Sequence, residues 1–125
     1  MVRCPPVDLR EARRFVGACC GAAGHDEDVG EVAVLLTSEL VTNALVHAGG
    51  GARVSVDVAP ERVHVEVADA QPGPVAPAAW SESATSGRGL ALVEALASAW
   101  GVRPADGGKV VWFDLARGGP EGGVP

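Results

Sequence analysis

The stretch E-V-A-V-L-L-T-S-E-L-V-T-N-A-L-V-H-A, residues 31–48, decides the fold of this 125-residue chain. It is rich in Val, Leu and Ala and stops at a run of glycines, so it predicts a helix that packs in a protein core. Glu39, Asn43 and His47 lie one helical turn apart, and their side chains therefore stack along one face of that helix. An acid and an amide among apolar neighbours are costly unless a structural partner or a bound ligand pairs with them.

Two more helices are predicted on either side of this stretch. Apolar periodicity predicts a first helix over residues 7–23, with Asp8 near its start. The central helix is predicted over residues 29–48, after an acidic turn at residues 25–28 whose charges suit the positive end of a helix dipole. A third helix is predicted over residues 90–100.

Alternating valines predict an antiparallel hairpin of two strands, over residues 53–58 and 62–67. Asp69 has the same parity as the valines of the second strand, which directs it towards the buried side where the strand ends. Further strands are predicted near residues 101–103 and 111–115. Because the strands come as hairpins between helices, the sequence predicts an α+β fold: a two-layer α/β sandwich with a mixed, mostly antiparallel sheet and helices on one face.

The composition is that of a single folded domain, with 47% apolar and 21% charged residues. We expect this domain to cover residues 1–116 and the Gly/Pro-rich tail, residues 117–125, to be disordered. The net charge of −6 argues against a general nucleic-acid binder, which would present a basic face. The sequence has neither a signal peptide nor a membrane-spanning apolar run, so we expect a cytoplasmic protein.

Glu39 and Asn43 could do paired chemical work on one helix face. The oxygen of an amide is a hard ligand that suits Mg²⁺, and a carboxylate one turn away could orient or deprotonate an attacking hydroxyl. A paired surface acid beside an Asn with local hydrogen bonds is the alternative, and this segment alone favours it.

Two further segments could contact a ligand. Asp69, followed by a turn that contains Gly73, could accept a hydrogen bond from an exocyclic amine such as that of adenine, although an Asp that merely initiates a turn is common. Residues 86–90, S-G-R-G-L, open the third helix, where free backbone amides and the helix dipole favour a phosphate. Arg88 could add a charge-assisted contact. A flexible turn before a helix is the alternative reading of this second segment.

In their order and spacing the three segments resemble one family, the ATP-binding domain shared by gyrase, a heat-shock chaperone, histidine kinases and MutL. More narrowly, the chain resembles small stand-alone anti-sigma factors that are serine-protein kinases. The E-x-x-x-N-A-x-x-H pattern that begins at Glu39 resembles the N box of this family. Residues 69–73 and 87–90 resemble its two glycine boxes, and residues 108–113 resemble its last strand.

The resemblance implies ATP and Mg²⁺ as cofactors and assigns a role to each matching residue. Glu39 would be the catalytic base that takes a proton from a serine hydroxyl, and Asn43 would bind the Mg²⁺ that bridges the phosphates. His47 would be a scaffold residue. The remaining residues would hold the nucleotide: Asp69 and Gly73 at the adenine, and Gly87, Arg88, Gly89 and Leu90 at the phosphates.

Two positions depart from the family pattern. Gln71 replaces an additional glycine of the first glycine box. Val110 is expected where the last strand usually carries a threonine that helps hold the adenine, and the loss of one such hydrogen bond costs about 1 kcal/mol. Residues 74–86 would form the lid over the ATP.

The resemblance implies a regulator that phosphorylates a serine of an anti-sigma-factor antagonist and sequesters a sigma factor. Such a protein would be a homodimer and would bind neither nucleic acid nor membrane directly. The main alternative is a non-catalytic module of the same fold, with or without bound nucleotide, that acts by protein interaction alone. A histidine-kinase fragment and an α/β domain without any nucleotide are further alternatives.

Overall fold

The computed structural model of the chain describes residues 2–48, 52–69, 89–105 and 108–116. Within these ranges the chain forms three helices and five strands. In chain order they are β1 (Val2–Val7), α1 (Leu9–Ala22), α2 (Glu27–Ala48), β2 (Ala52–Ala59), β3 (Arg62–Asp69), α3 (Gly89–Leu96), β4 (Ala99–Ala105) and β5 (Gly108–Ala116).

The described strands form one sheet in the order β1-β2-β3-β5-β4, and every neighbouring pair is antiparallel. One face of the sheet packs against the helices, and a single core joins side chains from both layers. The predicted α+β two-layer sandwich is therefore confirmed. The described part of the sheet is antiparallel throughout, so the predicted mixed sheet is not seen there.

The first helix begins and ends where local chemistry allows it. Asp8 caps its N-terminus, because its Oδ1 accepts a hydrogen bond from the backbone N–H of Glu11 at 2.9 Å. Past its end, Gly24 adopts a φ of +80°, a backbone conformation that a residue without a Cβ reaches at no steric cost. The predicted start at residue 7 is too early, because the residues before Asp8 belong to a strand.

That strand, β1, was not predicted from the sequence. It lies at the edge of the sheet and pairs only with β2 among the described strands. Its register is irregular between Cys4 and Val7, where two prolines interrupt the ladder of hydrogen bonds. Proline is tolerated on an edge strand because one side of that strand needs no N–H donors.

The third helix is shorter than predicted. It ends at Leu96, and Ala99 and Trp100 already belong to β4. The backbone N–H of Ser98 donates to the carbonyl of Asp114 at 2.8 Å, and its Oγ accepts from the N–H of Ala116 at 2.9 Å. Pairing with β5 thus overrides the helical tendency of this alanine-rich segment.

None of the described helices combines the length and the apolar character needed to cross a lipid bilayer. The predictions for the loop and lid at residues 70–86 and for the tail at residues 117–125 fall outside the described residues.

Candidate functional site

The central helix α2 crosses the sheet and contacts α1, α3 and the strands, chiefly β3. Its apolar residues supply the middle of the core: Val29, Ala33, Leu36, Leu40, Val41 and Ala44 are all buried. This packing fixes the rotation of the helix about its axis. The polar residues Glu39 and Asn43 therefore have defined positions at the edge of the buried surface, and both are partly buried.

Among the described residues of α2, Thr37 and Asn43 each have a buried polar side-chain atom without a hydrogen-bond partner, and Asn43 is the one nearer the end of the helix. Its side-chain Nδ2 atom is buried and has no hydrogen-bond partner among the described residues. Leaving such a group unsatisfied costs about 1–3 kcal/mol. Glu39, one turn earlier, has no hydrogen bond or ion pair within the described ranges either. The paired surface acid considered from the sequence is thus not found in the part of the chain that the structure describes.

Asp69 lies at the same end of the fold as the end of α2. It is the last residue of β3 and pairs with Ala52, the first residue of β2. Only a short connection separates Ala52 from the end of α2 at Ala48, and four residues of chain span at most about 14 Å. Topology therefore brings the end of the Asn43 helix and the end of the Asp69 strand together.

The second glycine segment opens a helix, as predicted. Gly89 and Leu90 are the first two residues of α3, which contacts α2 and whose Val93 is fully buried. The structure does not describe Gly73, Gly87 and Arg88, and their predicted roles stay predictions. The same holds for the side chains of His47, Asp69 and Leu90.

A family model described as a histidine kinase-like ATPase domain matches residues 3–115 of the chain. The match covers all the described helices and nearly all the described strand residues. The chain belongs to the histidine kinase-like ATPase domain family. None of the curated proteins compared with the chain matches it.

Membership of the histidine kinase-like ATPase domain family implies ATP binding, usually together with Mg²⁺. The residues of α2 fit this cofactor. Among the described residues the buried Nδ2 of Asn43 has no acceptor, and a phosphate oxygen would supply one, while the Oδ1 of the same amide is the type of oxygen ligand that suits a hydrated Mg²⁺. Asn43 would hold the metal, which would neutralise phosphate charge.

One expectation about the nucleotide pocket of this ATPase domain is wrong. Val110 pairs with Ala68 of β3 and with Arg103 of β4. Side chains alternate along a strand, and the neighbouring odd-numbered positions of β5 supply the core: Val111, Phe113 and Leu115. Val110 therefore lies on the outer face of the sheet, away from α2. Its neighbour in the strand, Lys109, is on the helix-facing side.

The outer face carries a charge network that sequence reasoning missed. His64 contacts two carboxylates, with its Nδ1 2.5 Å from Asp114 Oδ1 and its Nε2 2.8 Å from Glu66 Oε2. Arg62 binds Asp114 at 3.3 Å, and Arg103 binds Glu66 at 2.9 Å. Strand register brings these acids to both sides of the His64 ring.

The network shifts the pKa values of His64 and Glu66. Burial opposes the charged form of His64, but its hydrogen bonds to Glu66 and Asp114 outweigh this and raise its pKa above the ordinary value. Burial likewise disfavours the Glu66 carboxylate, yet hydrogen bonds from Arg103 and His64 lower the pKa of Glu66. The ring of Trp112 lies against His64, with centroids 5.6 Å apart. Only a comparison of strand registers could have revealed this cluster.

His25 makes a defined contact with the sheet. Its Nε2 donates a hydrogen bond to the carbonyl oxygen of Ala59 at 2.8 Å, and its Nδ1 is buried. This contact ties the turn before α2 to the end of β2. It lies at the opposite end of α2 from Asn43, and we assign it a structural role.

Proposed function

We propose that this histidine kinase-like ATPase domain binds Mg²⁺-ATP and transfers the γ-phosphoryl group to a serine of a protein antagonist, in the manner of an anti-sigma-factor kinase. The observation that carries the proposal is the buried Nδ2 of Asn43, which has no hydrogen-bond partner among the described residues and lies one turn from the partly buried Glu39. Neither group has a structural use among the described residues. Both have a use in phosphoryl transfer.

In the proposed reaction Glu39 accepts the proton of the serine hydroxyl. The serine oxygen attacks the γ-phosphorus, the bond from that phosphorus to the β,γ-bridging oxygen breaks, and ADP leaves. Little covalent chemistry falls to the protein in such a transfer, because positioning and charge neutralisation do most of the work. The firm packing of α2 supports this role, since it holds both side chains on one rigid element.

The rest of the proposed pocket follows the family pattern. Asp69 accepts a hydrogen bond from the adenine amine, and Gly73 shapes the adenine pocket. The turn that enters α3 holds the phosphates through its backbone amides, at Gly87, Arg88, Gly89 and Leu90. The position of Gly89 and Leu90 at the start of α3 supports this assignment.

The proposed partners are a sigma factor and the antagonist protein whose serine is phosphorylated, and the proposed assembly is a homodimer. These proposals rest on the resemblance of the three motif segments to anti-sigma-factor kinases. Phosphorylation adds about two negative charges to the antagonist at neutral pH. Release of the phosphorylated antagonist from a chain of net charge −6 is therefore electrostatically favourable and would free this protein for the sigma factor.

Incubation of the protein with radiolabelled ATP, Mg²⁺ and a purified anti-sigma-factor antagonist tests the kinase. We expect label on a serine of the antagonist and a loss of rate of about 10²–10⁴-fold in Glu39→Gln, because a positioned general base contributes that much. Affinity for ATP should change little. Glu31→Gln, an exposed change on the same helix, is the matched control and should label at the wild-type rate.

If ATP binds while no serine is labelled, and Glu39→Gln behaves like wild type, the kinase claim fails. The non-catalytic module of the same fold is then the correct function. The outer position of Val110 weakens the case for that outcome, since a residue on that face is not placed to lose a hydrogen bond to adenine.

A further inference from the structure

Lys109 is buried in an unusual way. The residue retains only 7% of its exposure, and lysines buried to this extent are paired as a rule. It is the second residue of β5. Alternation places it on the same face as Val111 and Phe113, which belong to the core beneath the helices. The ammonium group of Lys109 is thus directed to the layer between sheet and helices.

Strand register places Lys109 beside Asp69. The antiparallel pairing of β3 with β5 runs through Val67 opposite Val111 and Ala68 opposite Val110. One further step along both strands brings position 69 opposite position 109. Residues that face each other in this way have Cβ atoms about 4.5–5.5 Å apart. An acidic and a basic residue therefore occupy adjoining positions at the end of the sheet where α2 also ends.

Asp69 and Lys109 together complement the hydrogen-bonding pattern of one nucleobase, adenine. Adenine presents two neighbouring groups on its Watson–Crick edge, the exocyclic amine, which donates, and N1, which accepts. A carboxylate suits the amine and an ammonium suits N1. Guanine reverses both groups, because its O6 accepts and its N1–H donates. It would place an acceptor against the carboxylate and a donor against the ammonium group.

We propose that Lys109 donates a hydrogen bond to N1 of the adenine whose amine Asp69 accepts, so that Lys109 is a specificity-determining residue of the nucleotide site. The proposal rests on the proposed ATP binding and deepens it. Lys109 supplies the polar contact at the base whose loss was expected from Val110. The pocket of this chain therefore has its own means of selecting adenine.

Titration of the full chain with Mg²⁺-ATP and with 1-deaza-ATP, in which a C–H replaces N1, tests the proposal. A hydrogen bond from a charged donor stabilises by an amount that corresponds to about tenfold to a hundredfold in affinity. We expect 1-deaza-ATP to bind wild type more weakly than ATP by that factor. The matched control ligand, 7-deaza-ATP, keeps N1 and should bind much as ATP does.

The variant Lys109→Met keeps the apolar stem and removes the ammonium group. It should bind ATP about as weakly as wild type binds 1-deaza-ATP, and it should no longer distinguish the two ligands. Lys109→Arg restores a cationic donor and should distinguish them again. A merely structural lysine would weaken both ligands equally and leave their ratio at the wild-type value.

Equal affinity of wild type for ATP and 1-deaza-ATP overturns the role of Lys109, and this comparison needs no variant that might fail to fold. An unchanged ligand ratio in Lys109→Met also overturns it. Failure of wild type to bind ATP at all is a different result, which overturns the proposed function together with this inference.

Discussion

Replacement of His64 by Gln should destabilise the protein at low pH and progressively less as the pH rises, because the outer charge network stabilises the charged form of His64. Gln is similar in size and keeps hydrogen-bonding capacity, but it cannot carry a charge. In wild type both ring nitrogens of His64 lie against carboxylates, so the imidazolium form donates to Glu66 and Asp114 at once. The variant leaves these two acids facing an uncharged group.

The size of the effect follows from the geometry. A hydrogen bond between charged partners stabilises by about 1.5–3 kcal/mol when it is well buried, but His64, Glu66 and Asp114 retain 16%, 18% and 22% of their side-chain exposure. Water therefore weakens both pairs, and Arg103 and Arg62 still neutralise the acids in the variant. We expect the variant to lose about 1–2 kcal/mol of unfolding free energy near pH 5.5.

The sign of the pH dependence is fixed by the direction of the pKa shift. The pKa of His64 is raised in the folded state, while an unfolded His titrates near pH 6.5. Its contribution is therefore complete below about pH 6.5 and is lost as the pH rises through the higher folded-state pKa. The other charged groups near His64 among the described residues are Asp57, opposite it on β2, and the two arginines on β3 and β4.

Urea unfolding followed by tryptophan fluorescence, at several values between about pH 5.5 and 9, measures this difference. His25→Gln is the matched control, because His25 bonds a backbone carbonyl and not a carboxylate. The loss in His64→Gln should shrink as the pH rises, and His25→Gln gives the reference for removing an imidazole that bonds a backbone carbonyl. A loss in His64→Gln that is the same at both ends of the range would refute the proposed charge network.

Three further predictions test the packing of the fold. Gly101→Ala places a Cβ 2.8 Å from Nε1 of Trp112, so thermal unfolding should reveal a loss of about 1–3 kcal/mol, whereas Gly21→Ala, with open space around it, should be neutral or stabilising. Phe113→Ala empties a fully buried core site and should cost about 3–5 kcal/mol in urea titrations. Burial raises the pKa of Cys20 to about 11, so iodoacetamide at neutral pH should alkylate it far more slowly in the folded protein than in urea, and equal rates would show that it is accessible.

The elements with strong local patterns could be predicted from the sequence. The apolar run of α2 and the alternating valines of β2 and β3 each carry a period that a single kind of structure satisfies. The order of these elements between turn signals was enough to predict the two-layer sandwich. The same patterns located Glu39 and Asn43 on one helix and Asp69 at a strand end.

The features that the sequence concealed depend on pairing between distant segments. Nothing local marks β1 as a strand, because two prolines break its pattern and only the partner β2 makes it one. The start of β4 is an alanine-rich segment that is helical by propensity and extended by pairing with β5. The side of the sheet on which Val110 and Lys109 lie, and the meeting of His64 with Asp114, likewise follow from register, which no single stretch reveals.

Titration of the wild-type protein with Mg²⁺-ATP beside Asn43→Ala and Asp69→Ala tests the central claim most directly. Binding to the native state alone raises its stability, by about 2.7 kcal/mol when free nucleotide reaches a hundred times Kd, so a thermal shift reports it. We predict a clear shift for wild type, none for either variant, and a wild-type shift in Ser38→Ala, a control on the same helix whose hydroxyl bonds the carbonyl of Val34. No shift of the wild type at millimolar nucleotide, or wild-type shifts in both site variants, would contradict the assignment of this end of the fold as an ATP site.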